Sequence, residues 1–235
     1  MSLLNNLVHS SLSALGLSAV RSHQTYDADR AATIKRHRTD LIIDVGANAG
    51  QYAIKLRKSG YLGAIVSVEP LPDAYAALEA AMKGDSKWRG FNAAAGAERT
   101  KSTLNVSEDS VCSSLLSPSS TLLDAIPTAR TIGSVKVDVI PLDDLEYPSS
   151  RSSWLKLDVQ GFERQALEGA TKILASVRVL ELELGLKPSY EESYTLEKAL
   201  PRLNQMGFSV VSLGRGVSDS ESGQLIDVDV LLERS

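Results

Sequence analysis

The chain has 235 residues, of which 43% are hydrophobic and 23% charged, a balance that supports a buried core and excludes intrinsic disorder. With 25 Lys and Arg against 29 Asp and Glu, the formal charge is −4. No basic block interleaves with aromatics, so nucleic acid is not an expected partner. Cys112 is the only cysteine, which excludes an internal disulfide and a cysteine-rich zinc site and fits a reducing, cytoplasmic compartment.

Residues 1–38 are expected to form an N-terminal helical segment that packs on or caps a single domain spanning 39–235. Leu3, Leu4, Leu7, Val8, Leu12 and Leu15 recur at helical spacing, but no Lys/Arg stripe faces them, so packing on the domain is favoured over a membrane surface. The segment lacks the basic start of a secretion signal, and no run of 18 apolar residues occurs in the chain, so no transmembrane segment is expected.

From residue 41 short β-branched runs alternate with helical patterns, the sequence form of a parallel sheet covered on both faces. Leu41 to Val45 reads as the first strand, followed by a helix to about Ser59. Ala64 to Glu69 reads as the second strand, Asp73 to Met82 as a helix, and Trp88 to Ala95 as a third, less regular strand. Residues 100–150 break the rhythm with two alternating runs around the Ser-rich loop "SVCSSLLSPSS", the pattern of an inserted β-hairpin or flap. Trp154 to Val159, a helix from Phe162 to Ala175 and the strand "VRVLELEL" resume the rhythm. A last helix and the strands "FSVVSL" and "LIDVDVLL" complete it. The loop between those two strands is too short for a crossover helix, so they should pair antiparallel. The expected fold is a Rossmann-like α/β fold with a seven-stranded, mostly parallel sheet whose last strand is reversed.

The junction "LIIDVGANAGQYAIKL" ends a strand in Asp44 and passes through Gly46, Ala47, Asn48 and Gly50 into a helix. Bare N–H groups at a helix N-terminus suit a carboxylate or a polar edge. The dinucleotide G-x-G-x-x-G turn is absent, because its second position is Asn48 and the third glycine falls early. Asp44, in an apolar strand, needs a cation or several donors. A ligand carrying both an ammonium and a carboxylate satisfies both ends, as the methionyl end of S-adenosylmethionine does. Glu69 follows Gly50 by 19 residues, near the offset at which an acid holds a ribose diol.

The segments "DVGANAGQYA", "VSVEPLPDAYAAL", "FNAAAGAE", "VIPLDDL", "LKLDVQGFERQALEGATKIL" and "LELEL" follow one another as in the FkbM-type methyltransferases, which the chain resembles from about Asp40 to its C-terminus. The resemblance implies a class I methyltransferase fold, S-adenosylmethionine as cofactor with S-adenosylhomocysteine as product, and methylation of a hydroxyl on a sugar, glycan or glycosylated natural product. It makes Asp44 to Gly50 the cofactor loop and Glu69, followed by Pro70, the ribose acid. It also puts Asn92, Ala93 and Ala94 near the adenine, and Ser113, Ser114 and Leu115 in a Ser-Leu loop near the acceptor. Gln160 stands where the family usually carries an acid, which weakens a mechanism with two acids in that turn.

Methyl transfer to an alcohol needs an aligned hydroxyl and a group to take its proton. His9, His23 and His37 all precede the first strand, so a histidine base would require the N-terminal segment to fold back over the cofactor. Carboxyl ends of parallel strands carry ligands, which puts Asp158 first as base and also beside the cofactor. Lys156 shares a strand face with Asp158 and, if buried, must pair with Asp158 or Glu183, as a structural ion pair or in the chemistry. Glu163 ranks below Asp158, since an acid in a first helical turn has a stabilising role of its own. Glu183 completes an acid cluster with Asp158 and Glu163, read as hydroxyl-binding, with no metal expected. Two other readings remain: N-methylation of a protein or nucleic acid, which lacks its usual Asn/Asp-Pro-Pro-aromatic signature here, and a cofactor-binding module without turnover. The oligomeric state is open, a homo-oligomer included.

Overall fold

The computed structural model describes residues 25–219 and 222–234. Most of the expected N-terminal segment, with His9 and His23, therefore lies outside the described residues. Helix α1 (Tyr26–His37) starts under the Thr25 side chain, which accepts the Ala28 N–H, and ends with Arg38 in the left-handed region. Strand β1 (Leu41–Val45) follows, then α2 (Gln51–Lys58), β2 (Ala64–Val68), α3 (Pro72–Ala81) and β3 (Trp88–Phe91).

The expected third strand divides. Asn92 donates its side-chain amide to the Glu69 and Pro70 carbonyls, which turns the chain after Phe91. The next pair, β4 (Ala94–Ala95), leaves the main sheet to join a smaller one with β5 (Thr100–Ser107) and β6 (Thr131–Ile140), in the order β4-β6-β5. β5 and β6 are the antiparallel arms of the inserted flap. The short helix α4 (Ser120–Ala125) lies within the flap, its N-terminus capped by Ser119.

Beyond the flap come β7 (Ser153–Leu157), α5 (Glu163–Glu168), α6 (Thr171–Ser176), β8 (Val177–Gly185), α7 (Leu196–Gln205), β9 (Phe208–Arg215) and β10 (Asp227–Arg234). The expected helix over 162–175 is interrupted at Gly169. A Cβ there would lie 1.9 Å from the Gly96 carbonyl oxygen, so the backbones of the helix and of the connection after β4 touch. Asp143 then caps the restart by accepting from the Lys172 and Ile173 N–H groups, as an acid at a helix N-terminus does.

The main sheet runs β3-β2-β1-β7-β8-β10-β9. β10 is antiparallel to both neighbours and the other pairs are parallel, the seven-stranded arrangement with a reversed last strand that the sequence pattern predicts. Period-2 alternation sends Ile43, Val45, Leu155, Leu157, Leu180 and Leu182 to one face, where they pack with Ala166, Leu174 and Leu203 of α5 to α7. Ile42, Trp154, Val179 and Leu231 go to the other face with Ala53, Leu56 and Leu78 of α2 and α3. Burying side chains of this size stabilises the fold by about 1.5–3 kcal/mol each. On this second face Tyr26 and Ile34 of α1 pack against the cluster. Here too the apolar row gives way, toward the carboxyl ends of the parallel strands, to Asp44, Lys156 and Glu181, which are register partners across β1, β7 and β8.

Candidate active site

A cavity of about 500 Å³ opens at the carboxyl ends of the parallel strands, between the glycine loop after β1, the turn after β7 and the flap. The glycine loop is fixed by its backbone. Gly46 (φ 78°), Asn48 (φ 45°) and Gly50 (φ 88°) occupy the left-handed region, and Gly46 and Ala47 donate to the Val68 carbonyl. A Cβ on Gly46 would fall 1.7 Å from the Asp158 carbonyl oxygen, so this position joins the loop to the turn after β7 and takes no side chain. Glu69 lies across the loop: one carboxylate oxygen accepts the Asn48 N–H and the other the Leu71 N–H, both at 2.8 Å. Burial raises its pKa from 4.5 to about 7, against those two hydrogen bonds.

Lys156 supplies the cation that Asp44 requires. Its Nζ is 3.4 Å from Asp44 and 3.2 Å from Asp158. The sequence pattern points to a bound ligand for that cation, but register puts a lysine on the neighbouring strand directly beside Asp44. Asp44 is fully buried and does not reach the cavity wall, whereas Lys156 does. Burial pulls the Lys156 pKa down, but Asp158 and Asp44 hold it above the ordinary lysine value. Burial likewise pushes Asp44 upward, against the pull of Lys156. Asp158 is held below its usual value, because Lys156 and the hydrogen bonds from Glu183 and Gln160 outweigh burial.

The turn after β7 gathers the remaining acids. The Gln160 amide donates to Asp158 Oδ1 at 2.8 Å and reaches Glu183 Oε2 at 3.3 Å, while Gln160 Oε1 accepts from the Tyr190 hydroxyl at 2.7 Å. The charge of Asp158, followed by burial, drives Glu183 well above the ordinary carboxylate range. The two carboxyls therefore titrate as a coupled pair, with the negative charge favoured on Asp158. Glu163 reaches back from the first residue of α5 to accept the Val159 and Gly161 N–H groups, which holds Gln160 and Gly161 in the left-handed region. Burial raises Glu163 to about 7.

The flap is tied to each wall. Ser110 accepts from the Asn48 amide, Ser114 donates to the Gln160 carbonyl at 2.7 Å, and the Cys112 carbonyl accepts from Tyr190. Ser113 also lines the cavity, and its hydroxyl accepts the Ser107 N–H. Pro70, Ala93 and Ala94 line it as well. Two other residues of the expected cofactor set do not: Asn92 is occupied with the two carbonyls that turn the chain, and Gly50 caps α2 against Leu78. His37 lies 3.3 Å from Glu233, near the far end of β10, so it is not a base for this site.

The profile of the methyltransferase FkbM domain matches residues 44–210. The chain belongs to this family. As an FkbM methyltransferase it uses S-adenosylmethionine as its cofactor. No curated protein matches it in sequence. Among solved structures it is similar to a Clostridium thermocellum protein assigned as an rRNA methylase, with 11% identity over 92% of this chain and 100% of that one and a TM-score of 0.51. Magnesium protoporphyrin IX methyltransferase from Synechocystis PCC 6803, with bound S-adenosylmethionine, is 11% identical over 98% and 96%, with a TM-score of 0.47. Precorrin-6y C5,15-methyltransferase from Geobacter metallireducens GS-15 is 13% identical over 92% and 93%, with a TM-score of 0.45. At these identities the likeness is one of fold.

The cavity wall of this FkbM methyltransferase carries charges of both signs: Glu69, Asp158, Glu183 and Asp227 with Arg30, Lys55 and Lys156. Each Glu69 oxygen accepts one N–H and retains a lone pair at the cavity wall. Among the described residues, no three His, Cys, Asp or Glu side chains converge as metal ligands, and no helix is long and apolar enough to cross a membrane. Sequence reasoning passed over Tyr190, Asp227 and Arg30, all on the cavity wall. Arg30 and Asp227 lie outside the matched residues. Tyr190 lies within them, but only its hydroxyl contacts with Gln160 and the Cys112 carbonyl distinguish it from an ordinary core tyrosine.

Proposed function

We propose that this methyltransferase acts on a hydroxyl of an uncharged sugar, glycan or glycosylated small molecule in the cytoplasm. The observation that carries the proposal is the Asp158–Gln160–Glu183 cluster, two carboxyls bridged by one amide on the cavity wall between the glycine loop and the flap. Gly46, Ala47, Asn48, Glu69, Pro70 and Ala93 would hold the cofactor, with Gly50 and Asp44 shaping the loop from behind. When bound, S-adenosylmethionine supplies a methyl group on a positively charged sulfur.

Asp158 accepts a hydrogen bond from the acceptor hydroxyl and aligns its oxygen. Transfer would break the methyl–sulfur bond as the carbon–oxygen bond forms, releasing neutral S-adenosylhomocysteine and leaving a strongly acidic protonated ether, whose proton Asp158 would take even though Lys156 holds its carboxylate low. Glu183 supports the Asp158 carboxylate by a hydrogen bond, and Gln160, fixed by Tyr190, keeps both carboxyls in place. Glu163 fixes the turn, and Ser113 and Ser114 close the flap over the acceptor. The cations on the cavity wall, Arg30, Lys55 and Lys156, each pair with a carboxylate of the chain. That pairing favours a neutral acceptor over a phosphorylated one.

The test is incubation with labelled S-adenosylmethionine and a panel of neutral glycosides, sugar phosphates and amines. Transfer to the glycosides is expected, and Asp158→Ala should bind S-adenosylhomocysteine normally while losing transfer. An Asp158→Ala protein that methylates at the wild-type rate removes Asp158 from the mechanism.

A further inference from the structure

The row Asp44, Lys156 and Glu181 does not end at the sheet. Arg30, from α1, donates Nε and Nη2 to Glu181 Oε1 at 2.9 and 2.6 Å, so the row continues as acid, base, acid, base. Asp44 and Glu181 are 0% and 2% exposed, so water compensates neither carboxylate. Lys156 thus has a choice of partners. Glu181 is its register neighbour on β8, yet its ammonium lies against Asp44 on β1 and Asp158 at the end of its own strand.

Glu181 has no need of it. Oε1 takes both Arg30 donors, and Oε2 takes the Tyr52 hydroxyl at 2.7 Å and the Trp154 indole N–H at 3.2 Å. The Tyr52 ring lies 5.1 Å from Lys156 and 5.1 Å from Arg30. The Tyr26 ring, 5.0 Å from Arg30, holds the guanidinium in place.

We propose that Arg30 is a positioning residue for the cofactor site: by neutralising Glu181 it leaves Lys156 to hold Asp44 and Asp158 at the ends of β1 and β7. Arg30 precedes the residues that match the family domain, so α1 brings this charge from outside the domain. Without it, a buried, uncompensated Glu181 competes for Lys156, because an unpaired charge in a low-dielectric interior is costly. Asp44 then loses its cation one residue before Val45 and two before Gly46. The other end of the Lys156 bridge, Asp158, bears the carbonyl against which Gly46 sits. Both walls of the loop therefore depend on where Lys156 points. A helix that merely covered the sheet would be indifferent to the charge on Glu181.

The test is calorimetric titration of the full chain with S-adenosylhomocysteine, alongside thermal denaturation, for wild type, Arg30→Met, Arg30→Lys, Glu181→Gln and the double variant R30M/E181Q. Arg30→Met should weaken binding by about tenfold or more and R30M/E181Q should restore it to within about threefold, a coupling of the size expected for contacting charges. Arg30→Lys, which keeps the charge, should lose less than Arg30→Met. Wild-type affinity in Arg30→Met, or a double variant as weak as the single, overturns the proposal. Should Arg30→Met fail to fold, the comparison of R30M/E181Q with Glu181→Gln decides: equal affinity supports the role, and a loss of about tenfold assigns α1 to packing alone.

Discussion

Substituting Gly46 by alanine tests how tightly the glycine loop is joined to the turn after β7. The new Cβ would lie 1.7 Å from the Asp158 carbonyl oxygen, where ordinary contact begins at 3.4 Å. Both partners are backbone, so no rotamer relieves the clash. β1 and β7 are pinned by parallel pairing and by the Asp158 N–H to the Val45 carbonyl at 3.0 Å, so the loop must move instead. Moving it breaks the Gly46 and Ala47 hydrogen bonds to Val68, about 1 kcal/mol each. Alanine at φ 78° adds roughly another 1 kcal/mol. The sum, about 3 kcal/mol, corresponds to a loss of about a hundredfold in cofactor affinity if the loop is displaced in the bound state. Gly60→Ala is the control, since Gly60 has φ 89° and nothing within 4 Å of where its Cβ would lie; it should carry the backbone cost without the loss of affinity. Calorimetry with S-adenosylhomocysteine and urea unfolding of both variants measure the two effects. Binding by Gly46→Ala within about threefold of wild type would refute the close-approach argument.

Glu163 has a folded pKa raised from 4.5 to about 7 by burial, so the folded chain binds a proton more tightly than the unfolded one. Its contribution is fully present below pH 4.5 and is lost as pH rises through about 7, a difference of at most about 3 kcal/mol. Glu163→Gln keeps an oxygen for the Val159 and Gly161 N–H groups, so the fall in urea-derived stability between pH 5 and pH 8 should shrink; an unchanged slope removes Glu163 as its source. Lys156→Met leaves Asp44 and Asp158 without their cation and should cost about 3–5 kcal/mol, with partial recovery in the K156M/D44N pair by denaturant titration. A stability loss below about 1 kcal/mol would mean the ion pair is not needed. Tyr190→Phe removes the hydroxyl that joins Gln160 to the Cys112 carbonyl. It should cost about 1 kcal/mol and speed amide exchange across residues 110–130, whereas unchanged exchange there would show that Tyr190 does not secure the flap.

The strand order was legible because alternating apolar runs, short connections and the brief loop before β10 leave few topologies. The left-handed turn of the glycine loop and the place of Glu69 at the end of the second strand were legible because their signals are local. Lateral neighbours were not. Nothing along the chain says that Lys156 falls beside Asp44, so a cation was sought in the ligand and found in the next strand. The cofactor assignment rests on family membership rather than on that argument. The short third strand was not legible either, because the Asn92 amide satisfies two carbonyls and turns the chain after Phe91. Gly169 interrupts the helix after β7 because it meets Gly96, a contact between segments far apart in sequence. Arg30 and Tyr190 act through side chains distant in sequence or at the edge of the matched domain, where periodicity carries no signal.

The most direct measurement is the fate of the methyl group. Full-length protein is incubated with S-adenosylmethionine labelled in its methyl group and with a matched series of neutral glycosides, and the product is analysed by mass spectrometry and by its resistance to alkali. An alkali-stable methyl ether on a glycoside hydroxyl, lost in Asp158→Ala, is the expected product. Label on nitrogen, or an alkali-labile methyl ester, would contradict hydroxyl methylation by the Asp158–Glu183 pair.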